Sequence, residues 1–178
     1  MRDEPQLTPS RLPAADFDAA VPALAELLAA AVTDGASLGF HQPFEPARAA
    51  DWWRAQRPAV TAGDLLVWTA RRQDGALAGT VSLALTRKVN GSHRAEIVKL
   101  MVHPASRRQG LAARLLAAAE QAARRRGVSL LLLDTETGSA AEALYRAGGW
   151  TRFGVVPGYA TDPLGRLRDG SFYYKQLA

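Results

Sequence analysis

The apolar positions change period along the chain, and the changes outline its elements. "DAAVPALAELLAAAVTDG" (18–35) carries a helical pattern, with Asp16 or Asp18 near the cap, Pro22 in the first turn and Gly35 past the end. After the loop "GASLGFHQPF", a second helical stretch begins near Pro46 and carries Trp52 and Trp53. "LLVWTARR" (65–72) and "ALAGTVSLALTRK" (76–88) read as two strands of a hairpin turning at Asp74-Gly75. A further reversal at Asn90-Gly91 leads into the strand "RAEIVKLMV" (94–102). From there the order changes to a helix over 110–126, a strand over 128–134 and a helix over 139–147. A strand from about residue 150, a long loop and a last strand "SFYYKQL" (171–177) complete the chain. An antiparallel front half followed by a strand–helix–strand crossover predicts a mixed α/β fold on a single sheet. The run "LLLLD" suits a strand covered on both faces.

One strand breaks its own alternation. In "AEIVKLMV", Ile97 and Met101 share one parity while Leu100 and Val102 share the other. Either a β-bulge shifts the faces midway, leaving backbone groups free for a ligand, or the strand is buried on both faces.

Composition narrows the class. The 178 residues suit one domain over 1–178, its first few residues flexible, with 48% hydrophobic and 22% charged positions. No apolar run approaches the roughly 18 residues of a membrane span. The polar start "MRDEPQLTPS" lacks the apolar core of a secretory signal, so a cytoplasmic location is the default expectation. Cys is absent, which rules out disulfides, thiolate metal sites and a thiol nucleophile. Three histidines without ligand spacing suggest no metal. The net charge is +5, and Lys88, Lys99 and Lys175 are the only lysines among the basic residues. Either an anion is bound at one place or a coding bias favours Ala and Arg. No basic stripe is interleaved with aromatics, so neither nucleic acid nor membrane is an expected partner.

The stretch "VHPASRRQGLAARLL" (102–116) joins strand to helix with Arg107, Arg108, Gln109 and Gly110 and no acid. A helix starting near Gly110 turns its unpaired N–H groups toward that loop, where the dipole favours an anion. Gly110 lets backbone approach a ligand, Ala112 and Ala113 keep the helix start uncrowded, and the two arginines add charge at the rim. Pyrophosphate suits such a loop. No Gly-Lys-Ser/Thr follows, as a triphosphate loop needs, and only one glycine of a dinucleotide fingerprint is present.

Arg107-x-x-Gly110-x-Ala112, set after "KLMVHP", before a helix, and followed by strand, helix and "LYRAGGW", resembles the GCN5-related N-acetyltransferases (GNAT). The resemblance implies a single mixed, mostly antiparallel sheet of six to seven strands with about four flanking helices, splayed between the strands at 95–102 and 128–134. It implies acetyl-CoA as co-substrate, its pyrophosphate held by Arg107, Arg108, Gln109, Gly110, Leu111, Ala112 and Ala113. The pantetheine arm would lie along Leu100, Met101 and Val102, with an N–H near Leu100 or Met101 facing the acetyl carbonyl. Many members place Asn seven residues before the catalytic Tyr; here that position is Gly138, followed by Ser139.

Amine acetylation needs a base for the ammonium and an acid for the leaving thiolate. Tyr145 matches the family's acid; without the motif it reads as a core residue of its helix. Asp134, at the end of "LLLLD", and Glu96, on the neighbouring strand, are the two candidate bases, acting directly or through water. Their bland readings are a loop cap and a cross-strand ion pair. A closer resemblance within the family, through "DGASLGF", "RAEIVKLMV", "LDTETGSAAEALY" and "VPGYATDPLGRL", implies a small amino-acid-like amine and a toxin- or antibiotic-resistance activity. Phe40, His41, Tyr159 and Asp162 are its candidate acceptor contacts, while Trp52 and Trp53 read as core. A peptide, protein or polyamine acceptor, or a non-catalytic acyl-CoA sensor, are the alternatives. The sequence leaves the oligomeric state open; an exposed final strand could pair between subunits in a homodimer.

Overall fold

The structure, a computed structural model, describes residues 7–177; the expected flexibility of the first few residues lies outside them. Its elements run β1 (Ser10–Arg11), α1 (Phe17–Thr33), α2 (Pro46–Ala55), α3 (Arg57–Ala62), β2 (Leu65–Arg71), β3 (Leu77–Leu85), β4 (Arg94–Val102), α4 (Leu111–Arg125), β5 (Leu130–Glu136), α5 (Ala140–Ala147), β6 (Thr151–Thr161) and β7 (Leu167–Gln176). α2 and α3 form one helical run broken at Gln56, because Pro58 has no N–H for the next helical bond. Counted that way, four helical runs flank one sheet. Asp16 sits at the N-cap of α1, so Pro22 falls inside the helix and not in its first turn.

The sheet order is β1-β2-β3-β4-β5-β7-β6, and only β4 and β5 run parallel. That pair holds for three positions, Arg94 to Glu96 against Leu130 to Leu132, and then splays as expected. One core lies between the sheet and α4 and α5, a second between the sheet and α1 to α3. Leu24, Leu28 and Trp53 fill the second, the Trp53 indole donating to the Leu24 carbonyl at 3.1 Å. Trp53 is core, as its sequence suggested.

The two ends of the chain's last hairpin differ from expectation. Residues 156–167 are not a long loop: β6 continues to Thr161, β7 starts at Leu167, and only a five-residue turn joins them. The Pro157-Gly158 pair that signals a loop is absorbed in an irregularity between Val156 and Ala160, and the Asp169 carboxylate accepts from the Gly158 N–H at 2.9 Å. Proline is tolerated there because β6 is the sheet's edge. The final strand is therefore not free to pair with a second subunit. β7 is bonded on both sides, to β5 and β6.

Gly79 is packed closely between β4 and α4. A Cβ there would sit 2.8 Å from the Met101 carbonyl oxygen and 3.0 Å from Leu115 Cδ1. We expect Gly79→Ala to lower stability by about 1–3 kcal/mol in chemical denaturation; a neutral result would mean that β4 moves away from β3 at no cost.

Candidate active site

The site grows out of two breaks in β4. Thr80 pairs with Met101 and Ser82 with Val98, so two residues of β4, Lys99 and Leu100, oppose the single Val81 of β3. Lys99 takes the extra place with φ of 52°. The bulge exchanges the faces: Ala95 and Ile97 enter the α4 core, Met101 enters the α1 core, and Leu100 and Val102 return to the α4 side. The parity switch was a bulge. β4 and β5 part after Glu96 and Leu132, just before the bulge, leaving a seam that runs between Lys99 and Asp134.

At the C-terminal end of β4 the chain turns through His103 and Pro104 into the loop before α4. Arg108 and Gly110 have φ of 63° and 70°, and Gly110 is the N-cap of α4 with no side-chain cap. Among the described residues no protein acceptor takes the N–H groups of residues 108–113; the first helical bond is Arg114 N–H to the Gly110 carbonyl. Six donors thus stand without a protein acceptor in the loop and first turn of one helix, an arrangement suited to a phosphate or pyrophosphate. The Arg107 guanidinium is meanwhile bonded to Asp34 at 2.6 Å.

Glu96, Lys99, Asp134 and Tyr145 converge on the seam. Glu96 and Asp134 keep solvent contact, yet the cleft walls strip hydration and push both carboxyls above their ordinary values. Asp134 raises Glu96 further, whereas Lys99 and a backbone N–H pull Asp134 back down. Burial lowers the Lys99 ammonium, opposed by Asp134. Tyr145 comes from the other side, packed 5.9 Å from the rings of both Trp150 and Tyr173 and 6% exposed. Burial, then the Asp134 charge, pushes its hydroxyl up to about 12.

The loop over 34–45 covers the α1 side of the seam. The Lys99 ammonium donates to the Leu38 carbonyl at 2.8 Å and lies 5.4 and 4.9 Å from the ring centres of Phe40 and Trp52. The Ser37 hydroxyl donates to Glu136, His41 Nε2 meets Thr161 Oγ1 at 2.6 Å, and the Gln42 N–H donates to the Pro163 carbonyl at 2.8 Å. Of the expected acceptor contacts, Phe40 is therefore beside the seam, and His41 ties the loop to the end of β6. Asp162 lies in that turn, buried, with its oxygens on the Leu164 and Arg166 N–H groups and the Arg166 and Arg168 guanidinium groups. Burial would raise it, but those donors win and hold it near 2. Tyr159 stacks edge-on to Phe172 along the β6–β7 ribbon at 4.9 Å.

α5 is fixed at both ends. Glu142, 2% exposed, accepts from the Tyr173 hydroxyl at 2.6 Å and the Gly138 N–H at 2.7 Å, with Arg146 at 3.3 Å. Trp150 Nε1 and Lys175 donate to Glu120 at 3.1 and 2.7 Å, closing the other end. Ser139, the N-cap, lies 3.3 Å from the Thr135 hydroxyl. Sequence reasoning missed Lys99, Glu136, Asp34 and Glu142. For Lys99 a signal existed: a charged residue inside an apolar strand, at the point where parity switches.

Among the described residues no cluster of three metal-ligating side chains occurs, and no helix is long and apolar enough to cross a membrane. The chain is similar to the solved ribosomal-protein-alanine N-acetyltransferase from Brucella melitensis, at 25% identity and a TM-score of 0.76, covering 96% of this chain and 100% of that one. It is also similar in fold to yncA, a putative acetyltransferase from Salmonella typhimurium solved with acetyl-CoA, at 22% identity and 0.74, over 97% and 94% of the two chains. A phosphinothricin acetyltransferase from Sinorhizobium meliloti, solved with acetyl-CoA, matches at 20% identity and 0.78, over 97% and 89%. The model of the acetyltransferase (GNAT) family matches residues 26–149, a span that takes in the bulged strand, the loop before α4 and Tyr145 together, and the chain belongs to that family.

Proposed function

We propose that the chain, as a single domain, moves the acetyl group of acetyl-CoA to the primary amine of a small, amino-acid-like molecule by direct attack in a ternary complex. The convergence of Asp134, Glu96 and Tyr145 on a seam that begins beside the bulge carries this reading. The co-substrate supplies an activated acetyl carbonyl as a thioester. The backbone of residues 108–113, with Arg107 and Arg108 at the rim, suits its pyrophosphate because six donors there have no protein acceptor among the described residues. Leu100, Met101 and Val102, where the ladder is opened, take the pantetheine arm, and an N–H near Leu100 or Met101 polarises the carbonyl. Gly138 stands where many members have Asn, and its N–H is taken by Glu142; the neighbouring Ser139 hydroxyl is the group left to meet the arm.

An ammonium cannot attack, so Asp134 or Glu96 accepts its proton, directly or through water. Their raised carboxyls hold a proton more tightly than ordinary ones and so are better bases. Tyr145 keeps its proton until negative charge develops on the departing sulfur. With no Cys in the chain, no acetyl-thiol enzyme forms. Four stretches around the seam and the last hairpin resemble the tabtoxin resistance protein, which supports an amino-acid-like acceptor and a detoxifying role in the cytoplasm. A second copy would pair along the free edge of β6, where Phe153, Val155 and Val156 are exposed.

Free-thiol release from acetyl-CoA tests the reading, against amino acids, tabtoxinine-β-lactam, polyamines, aminoglycosides and peptide N-termini. Release with a small amino acid supports it. Acetyl-CoA binding without release on any amine would replace it with a sensor. Gly110→Val should weaken acetyl-CoA binding at least ~10-fold by calorimetry, since a β-branched residue resists φ near 70° at the start of the cradle. An unchanged Kd would remove the loop from the binding site.

A further inference from the structure

Lys99 occupies a place that packing alone does not explain. It is the bulged residue, held in the left-handed region that a non-glycine residue enters at a cost of roughly 1–2 kcal/mol. That conformation puts Lys99 on the same face as its neighbour Val98, over the α1 core, where ordinary alternation would send it to the α4 side. Its ammonium sits in an aromatic corner made by Phe40 and Trp52, and Leu38 is the one protein hydrogen-bond acceptor it has among the described residues. An ammonium has three N–H donors, so two are left for the seam. Asp134 stands across the seam on β5, and Glu96 lies three residues back on β4 itself, so both carboxylates border the place where the amine must lose its proton.

The acceptor side therefore presents one fixed cation and two proton acceptors, Asp134 on the facing strand and Glu96 on its own. A plain polyamine meets Lys99 as a like charge beside its own ammonium groups. An α-amino acid meets it with complementary charge at both ends, and buried charge pairs discriminate strongly against partners that leave one charge unmatched. We propose that Lys99 is a specificity-determining residue that binds the carboxylate of the acceptor and so restricts the enzyme to amines bearing an anionic group close to the nitrogen. This rests on the acetyl-transfer reading above and adds to it the residue that selects an amino-acid-like acceptor and the group by which it does so.

The test compares kcat/KM for a series of L-amino acids with their primary amides and with spermidine, in wild type, Lys99→Met and Lys99→Arg. Met keeps the Cβ and the apolar stem, so the bulge and the aromatic contacts persist without the charge. The wild type should favour acid over amide by at least ~10-fold, and Lys99→Met should collapse that ratio by about the same factor. Lys99→Arg should restore part of it. An acid-to-amide ratio that stays constant while both rates fall would make Lys99 a latch for the 34–45 loop and overturn the proposal. Turnover of amides or spermidine as readily as acids in the wild type would overturn it while leaving acetyl transfer standing. No CoA release with any of these acceptors would take down both readings.

Discussion

Tyr145→Phe should lower kcat by about 100- to 1,000-fold and leave acetyl-CoA affinity within about twofold. The substitution is unusually clean at this position. No protein group hydrogen-bonds the Tyr145 hydroxyl among the described residues, so its removal orphans no partner, and Ser82 Oγ is the only fully buried side-chain polar atom there without one. The ring keeps its contacts with Trp150 and Tyr173. With its proton held until about pH 12, by burial first and by Asp134 second, the hydroxyl is neutral throughout the working range. A thiol holds its proton with a pKa near ~8.5, about three units below that hydroxyl, so Tyr145 first serves as a hydrogen-bond donor to developing sulfur charge. Steady-state rates with calorimetric binding separate the steps. Equal losses in kcat and in acetyl-CoA affinity would make Tyr145 a packing residue of α5, the bland reading its sequence position already allowed.

The part of this site that could be read from sequence is the part built by local chemistry. Gly110 after two arginines, with small residues following, states a helix N-terminus open to an anion, and the backbone there has the φ values that reading needs. The parity switch in "AEIVKLMV" left a bulge and a doubly buried strand equally open. The structure decides for the bulge because Ile97 and Met101, of one parity, enter opposite cores.

What escaped depends on neighbours distant in sequence. Pro157 and Gly158 spell a loop by local propensity, yet an edge strand needs no N–H on its outer side, so β6 runs through them. The same cause hid the place of β7: insertion between β5 and β6 is a fact of sheet order, invisible in the residues 171–177 themselves. Asp162 was legible as a carboxylate near the acceptor side, but not as the centre of a turn whose four donors lie two to six residues further on. Lys99 acquires meaning only once Phe40 and Trp52, about 50 to 60 residues earlier in the chain, are packed against it.

Glu142→Gln should lower the stability of the folded chain by about 2–3 kcal/mol at pH 7, with the loss shrinking as the medium is acidified. Burial by itself would raise this carboxyl. The Tyr173 hydroxyl, the Gly138 N–H, the Ser171 hydroxyl and the Arg146 charge together outweigh it and bring the group from an ordinary 4.5 to about 2. A depressed carboxyl stabilises the fold while it is ionised in both states. Its contribution is therefore complete above about pH 4.5 and is lost as pH falls from there toward 2, where the unfolded chain takes up the proton first. The amide keeps one acceptor for Tyr173 or Gly138 but not the charge that faces Arg146 and Arg152. Urea denaturation of both proteins at intervals from pH 7 to pH 3 measures the gap, which should begin to close below pH 4.5. A gap that stays constant across that range would mean the cost is one of shape and hydrogen bonding, with no contribution from the ionised carboxylate. The consequence reaches the seam, because Glu142 and Tyr145 lie on the same helix and the Gly138 turn that Glu142 holds leads from β5, which carries Asp134, into that helix. Loss of the charge should then loosen the acid and its neighbouring turn together, lowering kcat in proportion to the fraction of molecules in which α5 has shifted.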